Sequence, residues 1–187
     1  SYDQTIAAVE AGANIFVHIY NAMRGLHHRE PGVVGAALNS DTYAELIADG
    51  YHVHPVSAKI VMDHKGRDKV ALITDCMRAG GMPDGDGYFL GELPVYVKDG
   101  TARLVEGDNL AGSILRLKDG VKNVYDWDIA SVQEAIDMAT IVPAKSIGID
   151  HVCCSLAIGR EADFIVLSED LELEKTFLDA RELYSRK

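Results

Sequence analysis

No apolar run in this 187-residue chain is long enough to cross a membrane. The longest, such as IVM at 60–62 and VALI at 70–73, fall far short of the roughly 20 residues that a span requires. Positive charge is scarce as well: 18 Lys and Arg stand against 29 Asp and Glu, a formal charge of -11. With no basic run, neither nucleic acid nor an anionic membrane is expected as a partner, and an anionic ligand would need positive charge concentrated locally. Cysteine is nearly absent. The three present, Cys76, Cys153 and Cys154, are odd in number and two are adjacent, which suits neither a disulfide framework nor a paired-CxxC zinc site. A soluble protein of the reducing cytoplasm is expected. The opening SYDQTIAAVEAGAN has no basic n-region, no apolar h-region and no initiator methionine. Ser1 leads at once into a helix and strand pattern, so the N-terminal part of a longer protein is expected to precede it.

What is present is a core. Hydrophobic residues make up 48% of the chain, which excludes wholesale disorder. Residues 3–11 have helical spacing behind a candidate Asp3 cap, Gly12 stops the pattern, and IFVHIY follows as a strand-like run. TYAELIADG reads as a strand or a short helix. PVSAKIVMDHKG reads as a helix from Val56 to a Gly66 stop, and KVALITD from Lys69 to Asp75 as a buried strand. Strands alternating with helices imply a parallel α/β arrangement. From Gly80 the texture changes to turn chemistry and short strands with an Asp99-Gly100 hairpin turn, an antiparallel insert over about 86–108. Helical patterns return from Ser113 and from Ser131, with Pro143 opening a further segment, and two strand-like runs close the chain.

Several residues are candidates for chemistry. His18 falls near the C-terminal end of IFVHIY, the strand end at which barrel active sites are built, although a packed core histidine would read the same way. Asp75 ends KVALITD just before a loop, where a carboxylate serves as metal ligand, general base or cap. Both would open on one rim of one sheet, and their recurrence favours a site. Arg29 in HHREPG offers a planar donor fork suited to carboxylate or phosphate. Its neighbours His27, His28 and Glu30 read as a solvated loop. His52 in ADGYHVHP could donate to a ligand or be a neutral surface histidine. His54, His64 and His151 read as ordinary polar residues, VEGDN and MPDGDG as turns, and Cys153-Cys154 as buried or strand residues. The turn NLAGS at 109–113 allows close backbone approach to a ligand.

Six ordered segments, VHIYNAM at 17–23, HHREPG at 27–32, IADGYHVHP at 47–55, LITD at 72–75, LAGS at 110–113 and the terminal GREADFIVL, carry a resemblance. Together they resemble the C-terminal portion of the N-acetylglucosamine-6-phosphate deacetylase family, within the amidohydrolase superfamily. The resemblance implies an α/β fold: residues 1–150 as the C-terminal part of a metal-dependent TIM-like (β/α) barrel, and residues 151–187 as terminal strands of a small β-sandwich. It implies a divalent metal ion, zinc or iron, with His18 as one ligand. The other ligands, a glutamate and a histidine, would precede Ser1, so this chain alone is expected to be inactive and, with edges exposed, to oligomerise. The small-molecule partner would be a sugar phosphate. Asn21 and the Ala22 backbone would contact it, Arg29 would pair with its phosphate, and Asp49, Gly50, Tyr51 and His52 would form a substrate loop. Leu110, Ala111 and Gly112 would close over the sugar or its acetyl group, and Asp75 would be the catalytic carboxylate. The products would be glucosamine 6-phosphate and acetate. The alternatives are another amidohydrolase acting on a cyclic amide, separated by a substrate panel, and a non-catalytic sugar-phosphate-binding protein, separated by metal analysis.

Overall fold

The computed structural model describes residues 1–186. Its centre is a parallel sheet of three strands, β1 (Ile15–Phe16), β2 (Tyr43–Ile47) and β3 (Val70–Ile73), with β2 in the middle. Ile15 pairs with Tyr43 on one side of β2, and Ala44 through Ile47 pair with Val70 through Ile73 on the other. Parallel strands need long crossovers, and helices supply them here: α2 (Gly32–Asn39) joins β1 to β2, and α3 (Pro55–Lys65) joins β2 to β3. The apolar composition of VALI follows from burial, since Val70, Ala71 and Leu72 are all enclosed.

Local chemistry sets the helix ends. In α1 (Tyr2–Glu10) the cap is Ser1, which forms a reciprocal capping box with Gln4, and not the expected Asp3, which lies inside the first turn. Pro55 starts α3, the His54 ring accepts from the Val56 N–H at 3.2 Å, and Gly66 at φ 86° ends it, as the sequence pattern predicts. Three further helices, α4 (Leu117–Asp126), α5 (Val132–Ala139) and α6 (Ile141–Ser146), follow the antiparallel segment. Helix α4 begins four residues later than Ser113, because Ser113 is drawn into a bridge with Cys76. Helix α6 opens at Ile141, two residues before Pro143, which its first turn accommodates because N–H groups there have no helical partner. Helix α2 has no counterpart among the sequence patterns. Its residues GVVGAALN are apolar on nearly every side, so no amphipathic period marks it.

The main core joins Phe16, Leu46, Val70, Met62, Val124 and Met138, so strands and helices from both halves of the chain share it. A second cluster, including Met77, Val95, Val97 and Ala111, lies beneath an antiparallel sheet of β4 (Gly85–Leu90), β5 (Leu93–Lys98) and β6 (Thr101–Leu104). The β5–β6 turn is the expected Asp99-Gly100 pair, at φ 49° and 77°. Among the described residues the last part of the chain forms three strands, not two: β7 (Phe164–Leu167), β8 (Leu173–Leu178) and β9 (Arg181–Ser185) make an antiparallel sheet. The turn that splits the last run is Asp179-Ala180, both left-handed, and it lacks the glycine that marks such turns in sequence. Phe164 stacks on Phe177 with ring centroids 4.5 Å apart across β7 and β8. Cys153 and Cys154 correct their expected placement, since they lie in a turn after α6, Cys153 half-buried and Cys154 exposed at φ 65°. Among the described residues, no helix is long and apolar enough to cross a membrane.

Leu46 is wholly enclosed at the middle of β2. Leu46→Ala is expected to cost about 2–5 kcal/mol, the range for emptying a leucine site in a packed core, read as a drop in the urea midpoint.

Candidate active site

Parallel pairing puts the C-terminal ends of β1, β2 and β3 at one edge of the sheet, and each strand carries a candidate residue two positions beyond its last: His18, Asp49 and Asp75. The strand that was expected to contain His18 ends at Phe16, and the chain then turns sharply. His18, Tyr20 and Ala22 all have positive φ, 33°, 76° and 56°, alternating with residues that do not. Non-glycine residues held this way store strain of about 1–3 kcal/mol each, and such strain collects at functional sites. The turn is secured by local bonds. The Asn21 side-chain amide donates to the carbonyls of His18 and Ile19 at 3.3 and 3.2 Å, and the Ile19 N–H continues the sheet by donating to Glu45 at 2.8 Å.

His18 Nδ1 lies 3.1 Å from the Asn21 carbonyl oxygen. A carbonyl only accepts, so Nδ1 carries a proton; in the neutral ring Nε2 then keeps its lone pair, the form in which imidazole ligates a metal. A metal site needs more than this. Among the described residues no group of three or more His, Cys, Asp or Glu comes together that could hold an ion, so His18 stands as one fitting donor and the set is incomplete.

The β2 loop is organised by Asp49. Its Oδ1 accepts from the N–H groups of Tyr51 and His52 at 2.9 and 2.8 Å, and its Oδ2 faces His52 Nδ1 at 2.6 Å. The side chains of the pair are only 9% and 8% exposed. Burial pushes the Asp49 carboxyl up, but the His52 ring and the two backbone N–H groups outweigh it and hold the carboxyl below the ordinary carboxylate range. Two other elements grip this loop, α4 with its C-terminal cap and the β5–β6 turn. The Asn123 side chain on α4 donates to the Ala48 carbonyl at 2.8 Å, the Trp127 ring lies against Gly50, and the Tyr51 hydroxyl donates to the Asp99 carbonyl at 2.9 Å.

Asp75 is exposed, left-handed at φ 47°, and its carboxylate accepts no hydrogen bond from the described residues. Its backbone is held: the Ser113 N–H donates to the Asp75 carbonyl at 2.9 Å, and the buried Ser113 hydroxyl donates to the Thr74 carbonyl. Gly112 lies so close that an added Cβ would sit 3.1 Å from the Asp75 carbonyl oxygen, so the turn of Leu110, Ala111 and Gly112 is packed directly on the Asp75 loop. Arg29 and Ala22 share a cleft of about 780 Å³ with the first turn of α1, and the Arg29 side chain is exposed. Ser113 and Asn123 carry no warning in sequence as site residues, because each acts by bonding a distant backbone carbonyl.

The sequence profile of the amidohydrolase family matches residues 6–183. The chain belongs to the amidohydrolase family. Members of this family are generally metal-dependent. Over 181 residues, 96% of the chain, it is 47% identical to N-acetylglucosamine-6-phosphate deacetylase of Vibrio furnissii, and it covers 45% of that protein. It is 41% identical to N-acetylgalactosamine-6-phosphate deacetylase of Escherichia coli O157:H7 over 97% of the chain and 48% of the relative. In three dimensions it superposes with a TM-score of 0.90 and 33% identity on the Mycobacterium smegmatis N-acetyl-D-glucosamine-6-phosphate deacetylase solved in complex with N-acetyl-D-glucosamine-6-phosphate. That match covers 97% of this chain and 48% of the other. The chain thus spans about half the length of these relatives.

Because the folded-state pKa of Asp49 is lowered, its contribution to stability is present above the unfolded value and disappears as pH falls through the folded one. The stability difference between the unaltered chain and Asp49→Asn is expected to shrink as pH falls below about 4, the ordinary range in which an aspartate takes up its proton. Urea midpoints of both proteins across this range measure it.

Proposed function

We propose that this amidohydrolase chain contributes the phosphate-binding and proton-transfer part of a deacetylase that converts N-acetylglucosamine 6-phosphate to glucosamine 6-phosphate and acetate, in the cytoplasm. The observation that carries the reading is the alignment of His18, Asp49 with His52, and Asp75 at one edge of the parallel sheet. In this reading β1 to β3 with their crossover helices are an arc of a (β/α) barrel, and β7 to β9 belong to a small β-sandwich.

The roles follow from chemistry. Asp75 has a carboxylate that accepts no hydrogen bond from the described residues, so it is available to take a proton from the attacking water and return it to the departing amine. Arg29 presents an exposed donor fork for the phosphate, with Asn21 and the Ala22 backbone beside it, and fixed placement of the phosphate orients the amide. Gly50, Tyr51 and His52 line the sugar on one side, and Leu110, Ala111 and Gly112 on the other. His18 would be one ligand of a divalent ion, zinc or iron, and the described residues do not complete its shell. Exposed Ile147, Val152, Leu156 and Ile158 support a homo-oligomer or a covering segment. The E. coli relative favours a second substrate, N-acetylgalactosamine 6-phosphate, which differs at one hydroxyl.

This chain alone is expected to release no acetate from either sugar phosphate. A protein carrying it is expected to do so, and Asp75→Asn to lower kcat by about 100- to 10,000-fold, the range for loss of a general acid–base group. Undiminished turnover in that variant would remove Asp75 from the mechanism. Arg29→Ala is expected to raise KM for the phosphorylated sugar, and the unphosphorylated sugar serves as the control: a rise shared equally by both substrates would sink the phosphate assignment.

A further inference from the structure

The Asp49–His52 pair spends a buried charge where a neutral side chain would hold the turn. Only Oδ1 of Asp49 bonds the backbone, accepting from both Tyr51 and His52, and an asparagine oxygen would do the same. What the charge adds is the 2.6 Å contact of Oδ2 with the His52 ring. An ionised carboxylate has no proton to give, so His52 Nδ1 must donate, and the neutral ring then keeps a lone pair on Nε2. Among the described residues Nε2 has no hydrogen-bond partner. No buried side-chain nitrogen or oxygen there lacks one, so the small exposed part of His52 includes Nε2. Turning the ring over would set a C–H against Oδ2 in a pocket that leaves both side chains less than one-tenth exposed.

We propose that Asp49 is a positioning residue for His52: it keeps the proton on Nδ1 so that Nε2 is presented, at the edge shared with Asp75, as a hydrogen-bond acceptor for a hydroxyl of the sugar phosphate. The choice of a sugar hydroxyl rests on the deacetylase reading; the hold of Asp49 on the ring does not. The grip on the loop by Asn123, Trp127 and the Tyr51–Asp99 bond fixes the direction in which the lone pair is offered.

Asp49→Asn tests both parts. The asparagine oxygen stays on the two backbone N–H groups, which preserves the turn, and its NH₂ takes the place of Oδ2 and forces Nδ1 to accept. Long-range ¹H–¹⁵N spectra of the ring in this chain, recorded at about pH 8 where an unperturbed imidazole is neutral, are expected to show the Nδ1–H form, changing to Nε2–H in the variant. An Nε2–H ring in the unaltered chain, or no change in the variant, overturns the proposal. In a protein carrying the chain that releases acetate, the same substitution is expected to raise KM roughly tenfold, the cost of one lost hydrogen bond, with kcat little changed. An unchanged KM overturns the acceptor role, and so does an equal further loss when Asp49→Asn is added to His52→Phe. If the unaltered protein releases no acetate, the deacetylase reading fails, while the ring spectra still decide whether Asp49 sets the proton.

Discussion

The hydrogen bonding of β2 between two parallel neighbours is the constraint on which the candidate site depends. Parallel pairing sends every strand out of the sheet at the same end, so residues far apart in sequence emerge at one edge. His18, Asp49 and Asp75 each lie two residues past a strand end, and the register of β1 on β2 and β2 on β3 sets their relative heights. A slip of one residue would turn the buried face of β2, which carries Ala44 and Leu46, to the wrong side, so the core that encloses Leu46 also enforces the geometry of the edge.

That edge is built from three different kinds of backbone restraint. The β1 loop is held from within, by strained left-handed residues tied together by the Asn21 amide. The β2 loop is held by a buried carboxylate that gathers two N–H groups and a ring. The β3 loop is held from outside, by Ser113. Asp75 is thus rigid in its backbone and free in its carboxylate, which suits a group that must exchange protons with something that is not protein.

Much of this was open to a reading of the sequence. KVALITD announces a buried strand because its apolar run ends abruptly in a carboxylate, and Asp99-Gly100 announces a tight turn because glycine tolerates positive φ. Helix α2 was hidden because an all-apolar stretch has no period to detect. The strand pattern overextends through His18 for a related reason: IFVHIY has strand composition throughout, whereas the chain leaves the sheet after Phe16. The Asp179-Ala180 turn was illegible because alanine gives no sign of a left-handed conformation. The pairing of Asp49 with His52 could have been found, since an aspartate that bonds the N–H two residues on is a recurrent turn device and brings residue i+3 within reach. The roles of Ser113 and Asn123 could not, because a hydroxyl or an amide that bonds a remote carbonyl leaves no local pattern.

The antiparallel sheet touches the site edge twice. Its β5–β6 turn receives the Tyr51 hydroxyl, and the chain leaving β6 runs through the Gly112 turn to Ser113 and the Asp75 backbone. It therefore works as a calliper: one jaw rests on the loop of β2 and the other on the loop of β3, and the number of residues between Asp99 and Ser113 sets the opening. A residue added to β6 would therefore bear on the spacing between the Tyr51 loop and Asp75 while every side chain at the site stayed the same.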